Sequence, residues 1–303
     1  MRRHLIVLCA GAIACGATGL QQTTTPKFDG ARAFAHVREQ VNIGPRPAGS
    51  TGAERTRAFI TAHLKSLGIA TEEQRFEAAT PVGKIRMVNV RAMLPGTSGT
   101  AGPRLIIASH YDTKLFKEFP FVGANDGGSS TAVLLELATA LKDQKFALPI
   151  ELLFFDGEES VIEWKNDDHT YSSRYYVDAA RKSGGLKDIR ALVLVDMVGD
   201  RDLRIFRDRY SDRRLLEIVS RAAGRLGLSA HVDGKAEEVH DDHLAFLDAG
   251  IPSVDLIDLD YGPDNSWWHS PQDVLENCSQ ESLAAAGRIV LEMLPEIEQK
   301  FRR

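Results

Sequence analysis

The chain has 303 residues, 43% hydrophobic and 26% charged, with 37 Lys+Arg against 42 Asp+Glu and a formal net charge of -5. That length can bury a full core within one large α/β domain. The apolar fraction excludes a disordered chain, and 25 Gly with 12 Pro exclude collagen or a low-complexity linker. No basic block is present to neutralise phosphates, so no nucleic-acid partner is expected, and three cysteines cannot build a disulfide framework.

The N-terminus reads as an export signal over residues 1–19. Arg2, Arg3 and His4 form a basic start, and Leu5 to Ala17 is an unbroken run of apolar or small residues. It is too short to cross a ~30 Å hydrocarbon core as a helix, but it fits the apolar region of a signal peptide. Ala12-Ile13-Ala14 before Cys15 would make Cys15 a lipid-accepting residue and the only membrane contact. Cleavage after Ala17-Thr18-Gly19 would instead free the protein. Either exit leaves only Cys278 inside the mature fold of a periplasmic, secreted or lipid-anchored chain. Residues 20–27, LQQTTTPK, read as a polar tether, and residues 28–303 as one domain, since no second linker or repeat follows. A monomer is expected.

Phe28 to Val41 and Thr51 to Leu67 carry apolar residues at helical spacing, around the rigid turn Gly44-Pro45-Arg46-Pro47. Thr71 to Ala78 and Lys84 to Leu94 read as strands. Short apolar runs then alternate with helical patterns. The strands are Leu105–Ala108, Ile150–Phe155, Ala191–Val195 and Ser253–Ile257. The helices are Ser129–Leu141, Ser172–Lys182, Asp212–Leu226 and Gln280–Phe301. This alternation predicts a three-layer α/β/α sandwich around a mixed, mostly parallel sheet. Such sheets collect ligands beyond the carboxyl ends of their strands.

Acids and histidines gather at those ends. Ser109-His110-Tyr111-Asp112 follows one strand, Asp156-Gly157-Glu158-Glu159 the next, and Asp196 the third; Trp267-Trp268-His269 comes after the fourth. Asp126 lies in the Gly-rich turn 123–128 that opens a helix. One such Asp is an ordinary helix cap. Several around one rim would repel and raise one another's pKa unless a cation resolves the conflict. A mixed imidazole and carboxylate set suits zinc without thiolates. Adjacent Glu158 and Glu159 point to different sides, so one can hold metal while the other faces substrate as a proton shuttle. An isolated Glu-Glu pair is usually a solvated turn, but this one directly follows the buried run LLFF.

His110-x-Asp112, Asp126, Glu158-Glu159, Asp196 and His269 resemble, in order and spacing, the ligand set of the zinc aminopeptidase family with co-catalytic metals. The segment GPRPAGS at 44–50 is similar to that family's N-terminal turn. Within that clan the chain resembles the glutaminyl cyclases more narrowly. The segments carrying this are SHYDTK at 109–114, FFDGEE at 154–159, Trp164, Asp241-Asp242-His243 with the following Phe246-Leu247 and Gly250-Ile251-Pro252, and Trp268 before His269.

The resemblance implies one zinc held by Asp126, Glu159 and His269, with Glu158 as proton shuttle. It also implies Asp196 and Asp241 on the proton path, Trp164 and Trp268 as pocket walls, and peptides beginning with Gln as substrates. A two-zinc aminopeptidase would use His110 and Asp196 on a second metal bridged by Asp126, and ligand inventory alone leaves that open. The Asp-Asp-His segment and the two tryptophans favour the cyclase. A non-catalytic binding domain of the same fold would have lost a ligand or the base, and neither is lost. Asp112 is expected to orient His110 rather than bind metal, and Asp242 and His243 to support the Asp241 loop. His36, His63 and His231 are expected at the surface, His169 in a solvated loop, and Cys278 as a small buried hydrophobe. Phe116, Phe119 and Phe121 fit either an aromatic rim or a packed loop.

Overall fold

The computed structural model describes residues 27–302. The stretch read as a signal peptide, Cys15 and the expected tether up to its last residue lie outside the described residues.

Helix α1 (Gly30–Ile43) starts two residues later than its apolar pattern, because Asp29 takes the N-cap and accepts the Ala31 and Arg32 N–H groups. Helix α2 (Thr51–Ser66) is capped by Ser50. Strands β1 (Thr71–Thr80) and β2 (Gly83–Leu94) form an antiparallel hairpin. Then follow β3 (Arg104–His110), α3 (Gly128–Leu141), β4 (Ile150–Phe155), α4 (Tyr171–Ser183) and β5 (Ile189–Asp196). The chain closes with α5 (Arg213–Leu226), a short α6 (His243–Asp248), β6 (Ser253–Ile257) and α7 (Gln280–Phe301).

The six strands form one sheet in the order β1-β2-β4-β3-β5-β6. The last four are mutually parallel, and β2 joins β4 antiparallel. From β3 the chain steps through α3 to one neighbour, β4, then back through α4 to the other, β5. Right-handed crossovers in opposite directions put their helices on opposite faces. Accordingly α3 packs with α1, α2, α5 and α7 over one face, whereas α4 and α6 cover the other. The fold is thus a three-layer α/β/α sandwich. Strand β3 lies at the reversal of strand order, where such sheets open a crevice.

The apolar strand β4 hides one acid. Glu151 is fully buried, and Arg91 Nε and Arg104 Nε each reach it at 2.6 Å while Tyr176 Oη donates at 2.8 Å. A carboxylate out of water needs such partners to remain charged. At the other edge, the extended segment 205–212 covers β6 through Phe206 N–H to Ile257 O at 2.7 Å and Asp212 N–H to Ser253 O at 2.8 Å. It removes a free strand edge. Segment 234–239 pairs in turn with it, Arg207 N–H to Lys235 O and Arg209 N–H to Glu237 O, both at 2.8 Å. That added layer forms one wall of the crevice.

Candidate active site

Strand β3 ends in His110, and the chain runs on to Asp112, which is fully buried. The Asp112 carboxylate accepts the backbone N–H groups of Glu158 and Glu159, at 3.2 and 3.3 Å. It therefore shapes the turn beyond β4, while its Oδ1 lies 3.6 Å from His110 Nδ1. The role expected for Asp112, orienting His110, is not carried by a hydrogen bond, since His110 Nδ1 makes none.

Asp126 is placed by side chains from two remote segments. Arg46, from the GPRP turn, is fully buried and donates to the carbonyls of Tyr111 at 3.0 Å, Val122 at 2.5 Å and Gly123 at 2.9 Å. One guanidinium thereby ties the end of β3 to the turn that carries Asp126. Burial lowers its pKa to about 10, opposed by the charges of Asp273, Asp126 and Asp112. Asp273 accepts the N–H groups of Asn125 at 2.7 Å and Asp126 at 3.1 Å. Gly127 has φ of +73°, and a Cβ there would lie 2.6 Å from the Asp112 carbonyl. Only glycine fits that turn.

Two groups of donor atoms meet at Asp126. In the first, His269 Nε2 lies 3.2 Å from Asp126 Oδ2 and 3.1 Å from Glu159 Oε1. In the second, His110 Nε2 lies 3.3 Å from Asp126 Oδ1 and 3.0 Å from Asp196 Oδ1. Donor atoms within each trio lie within 4.8 Å of one another. Asp126 Oδ2 and Glu159 Oε2 are buried and make no hydrogen bond. Orphaned buried carboxylate oxygens beside an imidazole fit a divalent cation, and this oxygen and nitrogen set fits zinc.

The two trios differ in access. Asp126, Glu159 and His269 line a cavity of about 200 Å3, together with Glu158, Asp196 and Asp241. His110 does not border it; its Nδ1 faces Asp112 at 3.6 Å and Glu158 at 3.7 Å instead. Trp164 and Trp268 complete the walls at 37% and 40% exposure, which excludes core packing as their role. Trp164 stacks on His169 with ring centroids 4.4 Å apart, and Trp268 on His269 at 4.2 Å. His169 is thus half-buried backing for an indole, not the solvated residue expected. Trp267 packs edge-on against Tyr261. Phe116 and Phe121 turn ring edges toward His269, at 5.7 and 5.8 Å, so the aromatic loop packs behind that histidine.

Burial raises Glu158 well above the usual carboxylate range, with His110 opposing and Asp241 and Glu159 adding to the rise. Burial likewise pushes Asp241 up to about 7, with the Asp196 charge adding. Burial would raise Asp126 too, but the imidazoles of His110 and His269 beside it hold it low. A pocket carboxyl poised near neutrality suits proton transfer.

Behind Asp241 and Asp242 lies a second buried group. His243 Nε2 is 3.0 Å from Asp208 Oδ2, and Nδ1 is 3.7 Å from Asp255 Oδ2. Asp208 also accepts the N–H groups of Tyr210, Ser211 and Val239. His243 and Asp208 pack the Asp241 loop against the segment covering β6. Asp242 is fully buried and neither of its carboxylate oxygens makes a hydrogen bond. Cys278 is buried as expected. Arg46, Asp208, Asp255 and Asp273 were not singled out by the sequence; of these only Arg46 stood in a noted motif.

The profile of Peptidase family M28 matches residues 89–294. A glutaminyl-peptide cyclotransferase-like protein of Mus musculus is 33% identical over 281 residues, covering 83% of this chain and 72% of its own. The crystal structure of an Acidobacteriales bacterium glutaminyl cyclase superposes with a TM-score of 0.87 at 36% identity, over 96% of this chain and 100% of that one. A Zn-dependent exopeptidase from Parabacteroides distasonis follows the same fold with a TM-score of 0.78 at 25% identity, over 92% and 100% of the two chains. This chain belongs to peptidase family M28, in its glutaminyl-peptide cyclotransferase branch.

Proposed function

We propose that the protein is a glutaminyl-peptide cyclotransferase, converting the N-terminal glutamine of peptides and proteins to pyroglutamate with release of ammonia. The observation that carries this reading is the buried Glu158 beside the trio Asp126, Glu159 and His269, in a pocket walled by two indoles. Asp126, Glu159 and His269 would hold one zinc per chain, which when bound supplies Lewis-acid polarisation of the γ-carbonyl oxygen.

The remaining chemistry belongs to the side chains. The substrate's α-amine attacks its own γ-amide carbon, forming the ring C–N bond as the bond to the amide nitrogen breaks. Glu158 takes the proton released by the amine and returns it to the departing nitrogen, which leaves as ammonia. Asp196 and Asp241 border the same cavity and carry the proton path onward from Glu158. Trp164 and Trp268 fold the flexible glutamine into attack geometry; orientation of this kind can contribute ~7–11 kcal/mol.

Among the described residues no helix is long and apolar enough to cross a membrane. The N-terminal pattern supports an exported protein, periplasmic or secreted, with Cys15 as its one membrane anchor if lipidated, and the domain spanning 28–303 acts as a monomer. Incubation with glutamine-β-naphthylamide and leucine-p-nitroanilide tests the reading. Ammonia from the first without arylamine from the second is expected. Arylamine from the leucine substrate alone assigns the site to a two-zinc aminopeptidase, for which the trio His110, Asp126 and Asp196 stands ready.

A further inference from the structure

We propose that Glu238, held by Tyr210 at the pocket mouth, forms a subsite that selects a cationic side chain, Lys or Arg, in the residue following the N-terminal glutamine. The identity of that first residue rests on the cyclotransferase reading.

Glu238 lines the cavity with Trp164 and Trp268, but it is exposed, whereas Glu158, Glu159, Asp126 and Asp241 are buried. A peptide entering by its N-terminus places glutamine among the buried acids, and its chain leaves through the mouth. The second side chain is then the first to meet Glu238. The backbone there is fixed. Asp208 Oδ1 accepts both the Val239 N–H at 3.0 Å and the Tyr210 N–H at 3.2 Å. This sets Tyr210 Oη against Glu238, to which it donates at 3.0 Å, and brings the Tyr210 ring edge-on to His240 at 5.4 Å.

Among the described residues no cation pairs with Glu238, although nearby Lys235 is taken by Asp260 at 2.7 Å. An unpaired, positioned carboxylate beside two part-exposed indoles fits an ammonium or guanidinium, which gains both charge and cation–π attraction. Glu or Asp at the second position would be repelled.

The test compares Gln-Lys-Ala-amide with Gln-Glu-Ala-amide at low salt, on the zinc-loaded wild type and on Glu238→Gln. Wild type is expected to favour the lysine peptide roughly fivefold, expressed in KM, as for an exposed ion pair set against a repulsion. Glu238→Gln is expected to bring that ratio close to one, and added salt to shrink it in the wild type only. Binding of the same peptides, read from quenching of tryptophan fluorescence, reports the subsite without turnover. A lysine preference in Kd that disappears in Glu238→Gln, with no ammonia formed, supports the subsite and sinks the cyclotransferase reading alone. Equal Kd and KM for the two peptides in the wild type, or a preference that survives in Glu238→Gln, overturns the subsite.

Discussion

Asp273 Oδ2 accepts the backbone N–H of Asp126 at 3.1 Å, and its other oxygen takes the preceding N–H at 2.7 Å and the Tyr261 hydroxyl at 3.1 Å. Asp126 thus owes its position to a carboxylate 147 residues away in sequence. In Asp273→Asn an amide nitrogen would confront one of those N–H groups. Zinc affinity should fall roughly 10–100-fold, the usual effect of losing an outer partner of a ligand. Competition against a chelator measures it; an unchanged affinity would show that Arg46 alone holds the turn.

Glu158 and Glu159 share one anchor, Asp112, and divide the work in the proposed reaction. Glu158→Gln should cost ~10²–10⁴-fold in kcat with zinc content intact. Glu159→Gln should lose zinc. Metal analysis of both variants decides the matter, and a metal-free Glu158→Gln would mean that the two roles are exchanged.

His110 is boxed by four carboxylates and has no opening to the cavity. Zinc should therefore number near one per chain, and His110→Ala should leave that number unchanged. Stability should still drop by roughly 3–5 kcal/mol, because the substitution strips the buried acids of their shared partner. A count near two that falls toward one in His110→Ala would favour the aminopeptidase.

A pH dependence arises far from the metal site. Burial pulls His36 down from 6.5 to about 4, with His63 of α2 and Arg32 of α1 adding to the shift. Its ring lies edge-on to His63 at 4.5 Å and near Phe59 at 5.8 Å. Between those two pKa values the unfolded chain binds the extra proton, so stability rises with pH across that window and is lost as pH falls through it. The loss is on the order of 1–3 kcal/mol between pH 7 and pH 4. Urea unfolding of wild type and His36→Phe at pH 4.5 and pH 7 isolates the contribution as a difference of differences; parallel losses in the two proteins would refute it.

The sheet was legible because LIIA, LLFF and ALVLV are runs that only a doubly covered strand can bury, and helical periods separate them. Helix ends were less so: Asp29 rather than Phe28 decides where α1 starts, through a cap that periodicity ignores. The short α6 carries too little period to register. Strand-end acids declared themselves by position, and His269 through its neighbour Trp268. Asp273 and Asp208 did not, since each works by accepting N–H groups from remote segments and leaves no local pattern. His36, His63 and His231, expected at the surface, are half-buried instead; His63 Nε2 lies 3.2 Å from the Leu135 carbonyl and His231 Nδ1 3.1 Å from that of Leu203. A lone polar residue on a helix does not reveal which neighbour will cover it.

Asp126 sits in the turn that opens α3 and Glu159 just beyond the end of the central strand β4, but His269 hangs on residues 258–278, which contain no strand or α-helix, and its own backbone sits at φ +51°. The candidate ligand set therefore joins a stiff jaw to a soft latch. Deuterium uptake should register this directly: chelation should speed amide exchange around 259–272 while the β3 amides stay protected, so that zinc fastens this part of the chain as well as serving the chemistry.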